Sequence, residues 1–293
     1  MGLKVYLDGE FLNEEDAKVS VFDHGFLYGD GVFEGIRAYH NSVFRLDAHV
    51  DRLYDSAKAI NLDIPISKEE IKWVILETCR QNGLRDCYIR VVVSRGKGDL
   101  GLDPKNCKVP SVVCIASNIT LYPDEMYENG MAVITVPTRR NAPEGVNPRI
   151  KSLNYLNNIL AKIEANIAGV PEAIMLNQEG YVTECTGDNI FCVRNGIIKT
   201  PAAHLGILEG VTRNEVIKLA QRRNIPVFET TFTRYDLFVS DEVFLTGTAA
   251  ELIPVNKIDN RVIGNGKPGP VFNQLLGDFR ELVKIQENKI FPD

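Results

Sequence analysis

Arg149-Ile150-Lys151-Ser152-Leu153-Asn154-Tyr155-Leu156-Asn157-Asn158, near the middle of the chain, is the stretch from which the fold is read. Leu153, Leu156, Leu160, Ile163 and Ile167 recur at three- and four-residue spacing, the apolar stripe of an amphipathic helix. The pattern predicts a helix with Lys151 at its entry. A helix N-terminus carries roughly half a positive charge, so a cation there costs a few tenths to about 1 kcal/mol, and the adjacent Arg149 adds to this. The ammonium form is thereby disfavoured, and burial would push the same way. A lysine that is neutral near pH 7 is an amine nucleophile able to form Schiff bases. A lone lysine at a helix start is ordinarily a snorkelling side chain, so the reading depends on its company.

The chain has 293 residues, 44% hydrophobic and 25% charged, enough for an ample core in two domains or one large one. No apolar run approaches the roughly 20 residues needed to cross a bilayer, and Met1 to Glu10 lacks a signal-peptide core. A cytoplasmic protein without a membrane partner is expected. Cys79, Cys87, Cys107, Cys114, Cys185 and Cys192 lie mostly in apolar runs with no Cys-x-x-Cys, which favours buried free thiols. The four histidines are scattered, so no metal site is expected. A net charge of −6 with dispersed basic residues argues against nucleic acid as a partner.

Val5-Tyr6-Leu7 and Glu10-Phe11-Leu12 around Asp8-Gly9 read as a hairpin, and Val32 to Tyr39 with Ser42 to Arg45 as a second. A helix from about Asp47 to Ile60, capped by Asp47, follows. Ser67 to Glu70 is a capping box opening a helix to about Gln81. Tyr88 to Ser94 and Ser111 to Ser117 are strands rich in β-branched residues. This order predicts an α/β first domain of the α+β kind over residues 1–119. Residues 120–130 read as an interdomain linker and 131–293 as a larger second domain. That domain starts with Val133 to Pro137 and continues in short strands around Glu172 to Lys199. A box at Thr212 to Glu215 opens a helix to Arg222, further strands follow, and Gly269 to Glu287 is a closing helix.

Several features look like an anion site. In Leu208-Glu209-Gly210-Val211-Thr212 a glycine turn runs into a helix start, where unpaired N–H groups and the dipole favour an anion. In Thr246-Gly247-Thr248-Ala249-Ala250 a strand ends in small residues that let backbone N–H groups approach a ligand. Arg52, beside the apolar stripe of its helix, can supply a bidentate phosphate contact. Glu184, after a strand and among apolar neighbours, wants a cationic partner. An amine that can lose its charge, an anion cradle and a buried carboxylate are what pyridoxal 5′-phosphate requires.

The residues also resemble a known family. Tyr28 to Arg37, His49 to Arg52, Tyr88-Ile89-Arg90, Ile150 to Tyr155, Thr183-Glu184 through Asn189, Gly210 to Arg213 and Thr246 to Glu251 match the fold-type IV pyridoxal-phosphate enzymes. These are the class IV aminotransferases, and the match is most like the branched-chain amino acid aminotransferases. The resemblance spans essentially the whole chain. It implies two domains with the cofactor at their interface. Lys151 would be the Schiff-base lysine and the acid/base at the substrate's Cα, Glu184 would bind the pyridine nitrogen, and Arg52 the phosphate. Val211, Thr212, Gly247 and Thr248 would cradle the phosphate through backbone N–H groups, and Tyr155 would bond the ring hydroxyl. Tyr88 with the Thr248-Ala249 N–H groups would take the substrate's α-carboxylate. Phe33, Gly35 and Tyr28 would line an apolar pocket, and Arg90 would receive glutamate's distal carboxylate.

The reaction the resemblance implies is transamination of leucine, isoleucine or valine with 2-oxoglutarate, by a homodimer or an assembly of dimers whose 96–103 loop reaches the neighbouring pocket. Ser94-Arg95-Gly96 is similar to D-amino acid aminotransferases, where an arginine of this region traps the α-carboxylate. Activity on D-amino acids or (R)-amines, an aminodeoxychorismate lyase, and a non-catalytic pyridoxal-phosphate carrier are the alternatives. Tyr88 and Arg90 argue against the carrier, which needs no substrate carboxylate site.

Overall fold

The computed structural model describes residues 2–119 and 122–292. Among the described residues two compact units emerge, one of residues 2–119, 150–154 and 283–292, the other of 122–149 and 155–282. The sequence reading puts 150–154 and 283–292 in the second domain, whereas the structure packs both with the first. The cause is backbone pairing. Phe33 N donates to Lys151 O at 2.9 Å, Leu153 N donates to Gly31 O at 2.9 Å, and Val43 N donates to Asn288 O at 2.9 Å.

The first unit contains β1 (Lys4–Leu7), β2 (Glu10–Asn13), α1 (His24–Tyr28), β3 (Gly31–Tyr39), β4 (Ser42–Val43), α2 (Leu46–Ala59), α3 (Lys68–Gln81), β5 (Cys87–Ser94) and β6 (Ser111–Ser117). Its strands form an antiparallel sheet in the order β2-β1-β6-β5-β3-β4. Both hairpin turns form as expected, with positive φ at Asp8, Gly9, His40 and Asn41. The Ser67 capping box forms at α3. At α2 the cap is Arg45, and Asp47 sits inside the first turn, where its charge still suits the dipole. Val32, Ile36 and Ala38 of β3, with Ile89, Val91 and Val93 of β5, pack against Val50 and Leu53 of α2 and Ile71 and Ile75 of α3. Side chains alternate along a strand, so Phe33, Gly35, Tyr88 and Arg90 all fall on the sheet's other face.

The second unit contains α4 (Asp124–Asn129), β7 (Met131–Thr135), α5 (Leu156–Ile167), β8 (Glu172–Leu176), β9 (Val182–Cys185), β10 (Asn189–Arg194), β11 (Ile197–Pro201), α6 (Val211–Arg222), β12 (Val227–Thr230), α7 (Arg234–Phe238), β13 (Glu242–Gly247), β14 (Glu251–Ile258), β15 (Arg261–Val262) and α8 (Pro270–Leu282). A nine-stranded mixed sheet runs β12-β11-β10-β13-β14-β7-β8-β9, with β15 on β14. Within the segment read as a linker, Thr120 and Leu121 lie outside the described residues, and the remainder contains α4.

The Lys151 helix differs from expectation in two ways. α5 begins at Leu156 with Tyr155 as its N-cap, so Lys151 lies upstream in the extended segment bridged to β3. The dipole therefore does not act on it as the periodicity suggested. The apolar stripe also faces outward: Leu156 is 61% exposed and Ile167 82%, while Asn158, Ala161 and Ala165 are buried. Small alanines let α5 lie close on Ala173 and Met175 of β8, and the large side chains are left on the far face. Among the described residues no helix is long and apolar enough to cross a membrane.

Candidate active site

In the first unit, β3 presents alternate residues to two different tasks. On the core side Glu34, fully buried, takes Arg52 Nε on one oxygen at 2.7 Å and Arg52 Nη2 on the other at 2.8 Å. His49 Nδ1 lies 2.8 Å from Glu34 Oε2. Burial alone would raise the Glu34 carboxyl, but Arg52's charge and hydrogen bonds and the His49 bond outweigh it and hold it down at about 2. Burial pushes His49 down despite Glu34. A neutral imidazole against a carboxylate, which only accepts, must carry its proton on Nδ1. This pairing fixes the Arg52 guanidinium, the predicted phosphate contact, before any ligand arrives.

On the other face Arg90 stacks its guanidinium over the Phe33 ring at 4.5 Å and donates from Nη2 to Tyr88 Oη at 2.9 Å. Lys151 Nζ also lies over the Phe33 ring, 4.5 Å from its centroid. A Cβ on Gly35 would stand 2.0 Å from Tyr88 Oη, so only glycine lets the phenol lie flat against β3. The structure thus brings Lys151, Phe33, Gly35, Tyr88 and Arg90 together. Lys151 itself is held by its backbone, through Phe33 N and through its own N–H to Ser56 Oγ at 3.2 Å.

Tyr28 is placed differently. Its hydroxyl donates to Leu100 O at 2.6 Å, and its ring meets His24 edge-on, which ties α1 to the 96–103 loop. His24 Nε2 reinforces the tie through Asp99 O at 2.9 Å. Arg95 forms a bidentate pair with Asp30 at 2.9 and 3.0 Å and donates to Ile60 O and Asn61 O at 2.8 and 2.6 Å. Buried and engaged on both edges of its guanidinium, Arg95 serves the fold.

In the second unit Glu184 is the end of a polar network. It accepts from Arg140 Nε on Oε1 at 2.8 Å, and on Oε2 from Leu208 N at 2.9 Å and Asn189 Nδ2 at 3.2 Å. Arg140, buried like Glu184, donates onward to Asn157 Oδ1 and Asn158 Oδ1 at 3.1 and 3.2 Å. The expected cation for Glu184 is therefore Arg140. Sequence reasoning missed Arg140, Asn157, Asn158 and Asn189, and on the first unit Glu34 and His49; the signal open to it was the need of a buried acid for a partner.

α6 corrects another expectation. It starts at Val211 with Gly210 as N-cap, no side chain among the described residues caps it, and Glu215 pairs with Lys218 at 2.8 Å instead of closing a box. Uncapped N–H groups at Val211 and Thr212 are then available to an anion. Gly210 is required there, since a Cβ would come within 2.2 Å of Asn189 Oδ1. Gly247, Thr248 and Ala249 are half-buried in the turn joining β13 to β14, and Tyr155 caps α5. Thr246 Oγ1, beside that turn, is buried with no hydrogen-bond partner among the described residues.

The donors fit pyridoxal phosphate. A buried, cation-backed carboxylate suits a protonated ring nitrogen, and an uncapped helix start with a glycine cap suits a phosphate.

Residues 31–258 match the family model described as Amino-transferase class IV. A Methanocaldococcus jannaschii protein is 55% identical over 280 residues, covering 96% of each chain. The branched-chain-amino-acid aminotransferase of Pseudomonas aeruginosa is 39% identical over 95% of this chain and 92% of its own. The crystal structure of the T.th. branched-chain amino acid aminotransferase with pyridoxamine 5′-phosphate superposes with a TM-score of 0.92 at 40% identity, over 97% of this chain and 94% of that one.

Proposed function

Since the chain belongs to the class IV aminotransferase family, we propose that it is a pyridoxal-phosphate-dependent branched-chain amino acid aminotransferase, moving the amine of leucine, isoleucine or valine to 2-oxoglutarate. The observation that carries this reading is the joint placement of Tyr88, Arg90, Phe33 and Lys151 on one face of β3 and β5. The engagement of Arg95 with Asp30 favours it over a D-amino acid or (R)-amine reading, which needs that arginine for a carboxylate.

When bound, pyridoxal phosphate supplies an aldehyde for the amine and a pyridinium ring that draws electrons from the substrate's Cα. Lys151 Nζ would carry the proton to and from Cα. Glu184, fixed by Arg140, would keep the proton on the ring nitrogen. Arg52, with N–H groups of Val211, Thr212, Gly247 and Thr248, would hold the phosphate, and Tyr155 the ring hydroxyl. Tyr88 and the Thr248-Ala249 turn would hold the α-carboxylate. Phe33, Gly35 and Tyr28 would bound the side chain, with Arg90 receiving glutamate's second carboxylate. An apolar pocket separates substrates by only about 1–3 kcal/mol per methylene, so Leu, Ile and Val should all be used.

The test is a donor panel against 2-oxoglutarate with L-leucine, L-isoleucine, L-valine, D-alanine and (R)-phenylethylamine. Turnover of D-alanine or the (R)-amine without L-leucine or L-valine would reject the proposal. We place the reaction in the cytoplasm and assign it to a homodimer or an assembly of dimers. The outward stripe of α5 on the second unit, and separately the exposed Phe22, Phe26, Leu100 and Leu102 on the first, support apolar partner surfaces. Sedimentation should give at least twice the 32.7 kDa chain mass, and a monomer would refute the assembly.

A further inference from the structure

In the second unit two buried carboxyl groups and a phenol share a small space behind the Gly247–Ala249 turn. Tyr122 Oη lies 3.5 Å from Glu172 Oε2 and 3.4 Å from Asp188 Oδ2, and all three residues are more than nine-tenths buried. Asp188 also supports the turn. A Cβ on Gly247 would lie 2.0 Å from Asp188 Oδ1, so the carboxyl packs directly on the glycine and leaves room for no other residue.

Glu172 has donors of its own. Its Oε1 accepts from Ala173 N at 2.7 Å and Thr186 N at 3.0 Å, and Lys162 Nζ stands 3.9 Å from Oε2. Burial, Asp188 and Glu172 all push the Tyr122 phenol far up, so it keeps its proton. One phenol proton serves one carboxylate at a time, and a second buried negative charge left without a donor is costly. A proton on Asp188 fills that gap. Burial first, then Glu172, push the Asp188 carboxyl up from 3.8 to about 7, against Lys162 and the Tyr122 bond. The groups facing Asp188 are Glu172 from β8, Tyr122 from the segment before α4, Lys162 from α5, and Glu184 and Cys185 from β9.

We propose that Asp188 is a positioning residue for the Gly247–Ala249 turn, and that its proton, held among Tyr122 and Glu172, sets the turn's affinity for a substrate carboxylate. This rests on the assignment of that turn to the α-carboxylate under the function proposed above. With the proton present the turn sits over a neutral carboxyl. With it gone, a buried negative charge lies behind N–H groups meant for an anion and weakens their hold. A carboxyl raised on folding stabilises the native state fully below its unfolded pKa of 3.8, and that stability is lost as pH rises through about 7.

The experiment uses the holoprotein, wild type beside Asp188→Asn and Tyr122→Phe, and follows two curves from about pH 5 to about pH 9. One is KM and kcat for L-leucine; the other is the thermal midpoint without substrate. Wild type should show KM rising about tenfold through the transition, with kcat changing less, while the midpoint falls. Asp188→Asn should flatten both curves. Tyr122→Phe, which strips the ionised carboxylate of a donor, should move both transitions to higher pH. Wild-type pH dependence of both curves in a folded Asp188→Asn protein overturns the proposal. If that variant does not fold, an unmoved midpoint curve in Tyr122→Phe overturns it alone. Flattened midpoints in Asp188→Asn together with no turnover of L-leucine would sink the substrate reading and leave the Asp188 proton standing.

Discussion

Lys151→Ala is expected to lower kcat by about 10^4-fold or more while leaving the protein folded. Acid–base catalysis by a positioned side chain is alone worth about 10^2- to 10^4-fold, and in the proposed role the same amine would also bond the cofactor's carbonyl. Stability should be spared because what anchors this segment is main chain. The Lys151 carbonyl takes Phe33 N and its N–H reaches Ser56 Oγ, and an alanine keeps both. The unfolding free energy from urea denaturation should therefore stay within about 1 kcal/mol of wild type. Borohydride treatment of wild-type holoprotein, followed by peptide mass analysis, should place a pyridoxyl group on Lys151. A mark on another lysine, or appreciable turnover by the alanine variant, would remove Lys151 from its role.

Arg140→Met should have the largest effect on the fold. Both Arg140 and Glu184 are about 6% exposed at the side chain, with Nε and Oε1 2.8 Å apart. Removing one partner of such a pair strands the other's charge and typically costs about 3–5 kcal/mol, a large share of the roughly 5–15 kcal/mol that holds a domain together. The guanidinium also ties in Asn157 and Asn158, so their carbonyls lose a donor too. Glu184→Gln in the same background removes the stranded charge and should recover much of the loss, a coupling that a double-mutant cycle by urea denaturation measures directly. A cost under about 1 kcal/mol for the single variant would mean that Glu184 is not held by Arg140 in the way described.

How far the residues alone could be read varies from place to place. Asp8-Gly9 announced its hairpin because positive φ is a local demand, the strands flanking His40-Asn41 announced the second, and Ser67 to Glu70 announced its helix because a capping box closes over three residues. At Thr212 to Glu215 the same local pattern misled. Gly210 took the cap, and Glu215 turned to Lys218. The stripe from Leu153 to Ile167 marked a helix correctly in kind but pointed it the wrong way, because periodicity identifies an apolar face without saying what will cover it.

Ordered motifs along the chain were enough to place it among the class IV aminotransferases, to nominate Lys151, Arg52 and Glu184 as site residues, and to mark the Gly210 and Gly247 turns as candidates for an anion site. All of these are patterns of residue type and short spacing. Folding alone made Arg140 the partner of Glu184, 44 positions away. It paired Glu34 with Arg52 and His49, occupied Arg95 with Asp30, drew Ile150 to Asn154 onto β3, and set Asp188 against Tyr122 and Glu172. The physical reason is that burial and charge pairing are set by distance in space. A chain with 33 basic side chains offers many cations to each acid, and only the packed sheets bring one of them within hydrogen-bond reach.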